Sequence, residues 1–199
     1  KIHTSCTTNV NELIMLPTRA MSEADKDYAL AFAIPVNTPG VKLVASPYGG
    51  SPKSEFDAPL SADRKMMETI TIFDDVFVPW DRVFMAGEHD FAAAIALGFV
   101  EYHRFTAVSY KLPLVDALIG SALLMADMNG IAKAAHVRDK MIWLISYAET
   151  LRALTEMAAI RGTGDADGIF APDALTTNMA KYHFAHHYHE ALQHVQDIA

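Results

Sequence analysis

The sequence predicts an α+β fold, a β-rich unit followed by a helical bundle, and three observations carry that prediction. Apolar runs through about residue 90 are short and are cut by Pro, Gly and charged turns. In "ETITIF", Thr69, Thr71 and Phe73 alternate with Ile70 and Ile72, the period of two that a half-buried strand shows. After Glu88 turn residues become sparse, and apolar residues recur at helical spacing.

In order along the chain, "NELIMLP" and "YALAFAIP" read as two strands around the polar turn "TRAMSEADKD", and "GVKLVAS" follows the turn "VNTPG" as a third. A Gly/Pro/Ser-rich loop runs through Lys65 before the strand at Glu68 to Phe73, and "VPWDRVF" leaves it through a turn in which Asp81 is expected to cap the next element. The stripes Leu114, Leu118, Ala122, Met125, then Val137, Met141, Leu144, Ala148, then Leu151, Leu154, Ala158 predict helices. Pro113 either opens a helix or kinks a longer one, because its ring removes an N–H. "GTGDADGIFAPDA" reads as a loop before a last helix. The boundary falls near Ala86 to Asp90, giving a β domain over 1–87 and a helical bundle over 88–199.

Composition narrows the function. The net charge is −8 and no basic run occurs, which argues against a nucleic-acid footprint, since that needs clustered Lys and Arg. The single cysteine, Cys6, cannot form an intramolecular disulfide, and it fits a reducing cytosol. The apolar runs Phe91 to Val100 and Leu112 to Asp127 are too short or too polar for a bilayer span, so no membrane association is expected. Residue 1 is Lys, and the chain ends inside an amphipathic pattern, so a piece of a longer protein is expected.

Four groups of residues have chemical potential. The run "HTSCTTN" offers the hydroxyls of Thr4, Ser5, Thr7 and Thr8 to a ligand rich in acceptors, and alone it reads equally as a turn or sheet edge. Glu68 opens a strand, where a carboxylate beside apolar surface can act as a base. His103 and Lys111, with Ala107 between them, are expected to share one stripe of a helix, two turns apart, either as a site or as a solvated helix start. His183, His186, His187, His189 and His194 crowd the last helix, but "HFAHH" lacks the acidic residue of a zinc protease motif, so no metal is expected. Glu149 with Arg152 and Arg138 with Asp139 read as ordinary surface pairs.

Taken together, "KIHTSCTTNVNELIMLPTRAMSEADKDYALAFAIP", "ETITIFDDVFVPWDRVF", "YHRFTAVSYK" and "GIAKAAHVRDKM" resemble the flavin enzymes that include 4-hydroxyphenylacetate 3-monooxygenase and 4-hydroxybutyryl-CoA dehydratase. The resemblance implies an acyl-CoA dehydrogenase-like architecture with a β-barrel-like middle domain and a C-terminal helical bundle, here without the N-terminal helical part. It also implies FAD held between domains and subunits, a homotetramer, and a small-molecule substrate. The monooxygenase branch is similar in "FDDVFVPWDRVF", "AETLRAL" and "GIFAPD", and there FAD reduced by a separate flavin reductase reacts with oxygen to hydroxylate a phenol. The dehydratase branch is similar at Glu68, His103 and Lys111, where the glutamate and histidine move substrate protons and the histidine also ligates an iron–sulfur cluster. Tyr110 stands where that branch has a cluster cysteine, and Ala107 where it has a tyrosine. The sequence expectation is therefore a cytoplasmic FAD-dependent aromatic hydroxylase, with Thr4, Ser5, Thr7 and Thr8 lining the flavin and His103, Lys111 and Glu68 as acid/base or electrostatic groups. The alternatives are a dehydratase/isomerase and a non-catalytic assembly domain.

Overall fold

In a computed structural model the described residues are 2–46, 56–60 and 67–198, and most of the expected Gly/Pro/Ser-rich loop lies outside them. The chain divides into two compact units, Lys1–Ala96 and Leu97–Ala199.

The first unit holds two antiparallel three-stranded sheets. β1 (Ile2–Ser5), β4 (Val41–Ser46) and β5 (Glu68–Phe73) form one in the order β1–β5–β4, and β2 (Glu12–Met15), β3 (Leu30–Pro35) and β6 (Val83–Ala86) form the other in the order β2–β3–β6. Among the described residues the sheets do not close, so the expected barrel-like form is corrected to two open sheets. The Phe32 and Phe73 rings meet perpendicularly at a centroid distance of 5.8 Å, a contact of the kind that joins facing sheets. Buried Ala29, Ala31, Met85 and Ala92 form a small core with Leu16, Met21 and Ile95.

Alternation in β5 carries into the fold as the sequence predicts: Thr69 and Thr71 are buried while Ile70 is 42% exposed. The turn into β4 needs Gly40, whose φ is +91° and whose added Cβ would lie 2.4 Å from the Asp74 carbonyl oxygen. Between β2 and β3, Asp25 closes the polar turn by accepting from the Ser22 N–H and from Arg19. Those bonds, the backbone one foremost, hold its carboxyl at about 2. Asp81 sits inside the short helical turn Trp80–Arg82 and makes no capping hydrogen bond, so the expected cap is absent there.

The helices are α1 (Ala92–Ser109), α2 (Lys111–Met128), α3 (Ala135–Ile160) and α4 (Ala174–Gln196). α1 starts in the first unit and continues into the second. Pro113 lacks the N–H that would bond the Ser109 carbonyl, and the helix breaks one turn before it, at Tyr110. The expected loop after α3 contains a hairpin of two short strands, β7 (Thr163–Gly164) and β8 (Phe170–Ala171). The Asp173 carboxylate then accepts from the Thr176 N–H at 2.8 Å and caps α4. Val137, Met141, Leu144, Ala148, Leu151 and Ala158 of α3 are buried as their spacing predicts. α2 differs, burying Val115, Ala122 and Ala126 while Leu114 is 38% exposed. It is apolar nearly all round, so periodicity alone does not select its inward face.

The helical stretch His89–Met128 is, by length and composition, apolar enough to cross a bilayer, contrary to the expectation from its shorter runs. Only 17% of its most apolar window is buried within this chain, and it is made of two helices meeting at Tyr110.

Candidate functional site

The candidate residues of the first unit lie on two faces of one sheet. β1 and β5 pair in a register that sets Thr4 opposite Thr69 and Ser5 opposite Glu68, and β4 continues the second row with Ser46. Opposed residues share a face, and neighbours along a strand point to opposite faces. Thr4 therefore faces inward with Thr69 and Thr71, and its Oγ1 lies 2.9 and 3.0 Å from theirs. Thr7, 2% exposed, completes the cluster through its own hydroxyl contact with Thr4. The outward face carries Ser5, Glu68, Ser46, Ile70 and Val44, with the Ser5 hydroxyl donating to Glu68 Oε1 at 2.7 Å.

Cys6 has φ 61°, which turns the chain out of β1 into the short turn Thr7–Asn9. The Cys6 N–H donates to the Met67 carbonyl and the Asn9 N–H to the Cys6 carbonyl, both at 2.9 Å. Thr8 is exposed and bonds Asn9 Oδ1. The four hydroxyls thus serve two purposes. Thr4 and Thr7 are internal hydrogen-bonding groups, and Ser5 and Thr8 face solvent. A polar row beside the apolar pair Ile70 and Val44 matches a flat heteroaromatic ring with a polar edge, so these residues fit a flavin.

The second unit carries His103 and Lys111, and the break at Tyr110 places them in successive helices, correcting the single stripe expected from their spacing. His103 is exposed and stacks on Phe99 at a centroid distance of 5.3 Å with an interplanar angle of 11°. The Lys111 ammonium lies 4.9 Å from the Tyr110 ring centroid and 5.3 Å from that of Phe184, a cation held by two aromatic faces. At this position Tyr110 presents a ring to Lys111 and supplies no thiolate.

Concave places in both units escaped the sequence reading. In the first unit an apolar groove of about 700 Å³ is lined by Met15, Phe32, Phe73, Trp80 and Met85 among others. In the second, a hollow of about 170 Å³ between α3 and α4 is lined by Trp143, Ser146, Tyr147, Thr150, His183 and His187. Spacing of Trp143 with Tyr147 and of His183 with His187 at i, i+4 was the available signal, and a core stripe gives the same one. Among the described residues no three His, Cys, Asp or Glu side chains are arranged to hold a metal ion.

His183 Nε2 lies 3.2 Å from the Tyr147 carbonyl oxygen, and burial, followed by the nearby His187 charge, pushes its pKa down from 6.5. Burial likewise pushes the Tyr147 phenol up, and its hydroxyl donates to the Phe184 carbonyl at 2.8 Å. The fold favours neutral His183, whereas the unfolded chain takes up a proton as pH falls through 6.5. Stability of the helical unit is therefore expected to fall on acidification below that value. His183→Gln, which keeps a donor for the Tyr147 carbonyl, is expected to flatten the slope. Urea midpoints measured from pH 8 to 5.5 check this, and parallel slopes would acquit His183.

Butyryl-CoA dehydrogenase of Megasphaera elsdenii shares the fold with a TM-score of 0.73 over 98% of this chain and 47% of its own, at 16% identity. The fold is therefore acyl-CoA dehydrogenase-like. Within that class the chain belongs to the 4-hydroxyphenylacetate 3-hydroxylase family: the family's C-terminal region matches residues 92–199 and its N-terminal region residues 1–85. The 4-hydroxybutyryl-CoA dehydratase/vinylacetyl-CoA-Delta-isomerase of Clostridium aminobutyricum is 36% identical over 100% of this chain and 41% of its own length. The 4-hydroxyphenylacetate 3-monooxygenase oxygenase component of Thermus thermophilus is 34% identical over 82% of this chain and 34% of its own. The crystal structure of the oxygenase component HpaB, complexed with FAD and 4-hydroxyphenylacetate, has a TM-score of 0.81 at 30% identity, covering 94% of this chain and 39% of that one. The chain thus spans about two fifths or less of the length of these relatives.

Proposed function

We propose that this chain is part of a FAD-dependent oxidoreductase, a two-component hydroxylase of a phenolic substrate served by a separate flavin reductase. The observation that carries this reading is the outward row of Glu68 and Ser46 beside Ile70 and Val44, a face suited to a flavin ring, in a chain of this family. Thr8 and the turn after Cys6 border the flavin, and Thr4 and Thr7 hold that turn from beneath. FAD, when bound, supplies the reaction with oxygen. Glu68 moves a proton, His103 exchanges one, and Lys111 contributes positive charge. The complete protein is a cytoplasmic homotetramer.

The second reading is a dehydratase/isomerase, and it is favoured by the match to the Clostridium aminobutyricum enzyme, which runs over 100% of this chain and 41% of that enzyme. Against it stands Tyr110, which gives Lys111 an aromatic neighbour at the position of a cluster thiolate. The visible spectrum and metal content of the complete protein, purified without oxygen, separate the two. Flavin bands without iron are the expected result, followed by phenol-dependent oxygen uptake once a reductase is added. A brown protein with about four irons per subunit would establish the dehydratase reading. Failure to bind FAD at saturation would mean a non-catalytic assembly domain.

A further inference from the structure

We infer that Ser5 is a positioning residue for Glu68, and that its hydroxyl is committed to that carboxylate and not to the flavin. The inference rests on the proposed role of Glu68 as a proton carrier. Ser5 and Glu68 are directly opposed in the β1–β5 ladder, and Ser5 Oγ donates to Glu68 Oε1 at 2.7 Å. A hydroxyl-to-carboxylate bond of that length is charge-assisted and is stronger than a bond between neutral groups. The other hydroxyls of the segment are engaged elsewhere, Thr4 and Thr7 with the buried threonines and Thr8 with Asn9.

The terminal torsion of a glutamate is broad and roughly two-fold, so the plane of its carboxylate is not set by the side chain alone. The Ser5 bond holds one of its oxygens, Oε1. Strand register brings the two together, and a slip of one residue would move Ser5 to the inward face. In the proton step the substrate's phenolic O–H bond breaks, its electron pair stays on the phenol oxygen, and the proton forms an O–H bond on Glu68. Glu68 returns that proton later in the cycle, and Ser5 keeps its own throughout. Misorienting the acceptor lowers the rate of this step while leaving binding intact.

The test uses the complete protein with 13C at the glutamate carboxyl carbons, observed at pH 7, with Glu68→Gln assigning the signal. Ser5→Ala is expected to shift the Glu68 resonance, and Ser5→Thr to restore it. FAD affinity should stay within about twofold in both variants, and kcat of Ser5→Ala should fall about tenfold at unchanged KM, with rescue by Ser5→Thr. An unmoved resonance in Ser5→Ala overturns the inference. So does a large loss of FAD affinity with kcat unchanged, which would make Ser5 a flavin contact. If the resonance responds but Glu68→Gln turns over normally, the proton role of Glu68 fails, and the positioning role fails with it.

Discussion

Thr4→Val is expected to destabilise the β unit by about 2–6 kcal/mol, at about 1–3 kcal/mol for each of the two buried hydroxyls left without a partner. Thr4 Oγ1 is within hydrogen-bonding distance of the hydroxyls of Thr7, Thr69 and Thr71. Those three residues are 2%, 1% and 0% exposed, so solvent does not replace the lost partner. Thr69 also donates to the Thr4 carbonyl at 3.0 Å and keeps that bond, and the cost falls on Thr7 and Thr71. Valine matches threonine in shape and strand preference, so packing changes little and the loss measures the hydroxyl.

The consequence extends to function because Thr7 begins the turn that borders the proposed flavin face. Cys6 holds a left-handed conformation there, which for a non-glycine residue costs about 1–3 kcal/mol and persists only while its surroundings enforce it. A loosened Thr7 removes part of that enforcement, so Thr4→Val should weaken FAD binding as well as stability. Thr8→Val, at an exposed position, should stay within about 0.5 kcal/mol of the wild type. Urea unfolding of both variants checks the pair. Equal midpoints for Thr4→Val and wild type would show that the hydroxyl cluster contributes nothing net.

The strand that holds Glu68 was legible because alternation is local information: once Thr69 and Thr71 face inward, Glu68 and Ile70 face outward. What the sequence could not supply was the pairing. Ser5 and Glu68 are 63 residues apart, and the bond between them depends on the register of β1 against β5. Thr4 and Thr7 looked like ligand-facing hydroxyls for the same reason, since a run of Thr and Ser does not state which members a partner strand will bury. In the helices the α3 stripe was readable because polar residues bound it on both sides. α2 has few polar residues, and there the predicted face missed Val115 and Ala126. The one-residue break at Tyr110 follows from Pro113, and the sequence offered it only as one of two outcomes.

His103→Ala in the FAD-loaded complete protein is expected to lower kcat by about 10²–10⁴-fold, the usual contribution of a positioned acid or base. Geometry supplies the reason for a specific control. His103 is an exposed helix residue stacked on Phe99, one turn earlier, and a surface i, i+4 pair of this kind adds only tenths of a kcal/mol to helix stability. The variant should therefore fold and unfold like the wild type, and lost turnover would report chemistry. Phe99→Leu removes the stacked ring but keeps the imidazole, so its effect on kcat should be about tenfold or less, the size expected of altered orientation. Histidine both gives and takes a proton near neutral pH, a capacity that neither glutamine nor asparagine has, so His103→Gln should be as slow as the alanine variant. If His103→Gln instead retains wild-type kcat, the imidazole transfers no proton, and the stack on Phe99 is simply the surface of α1.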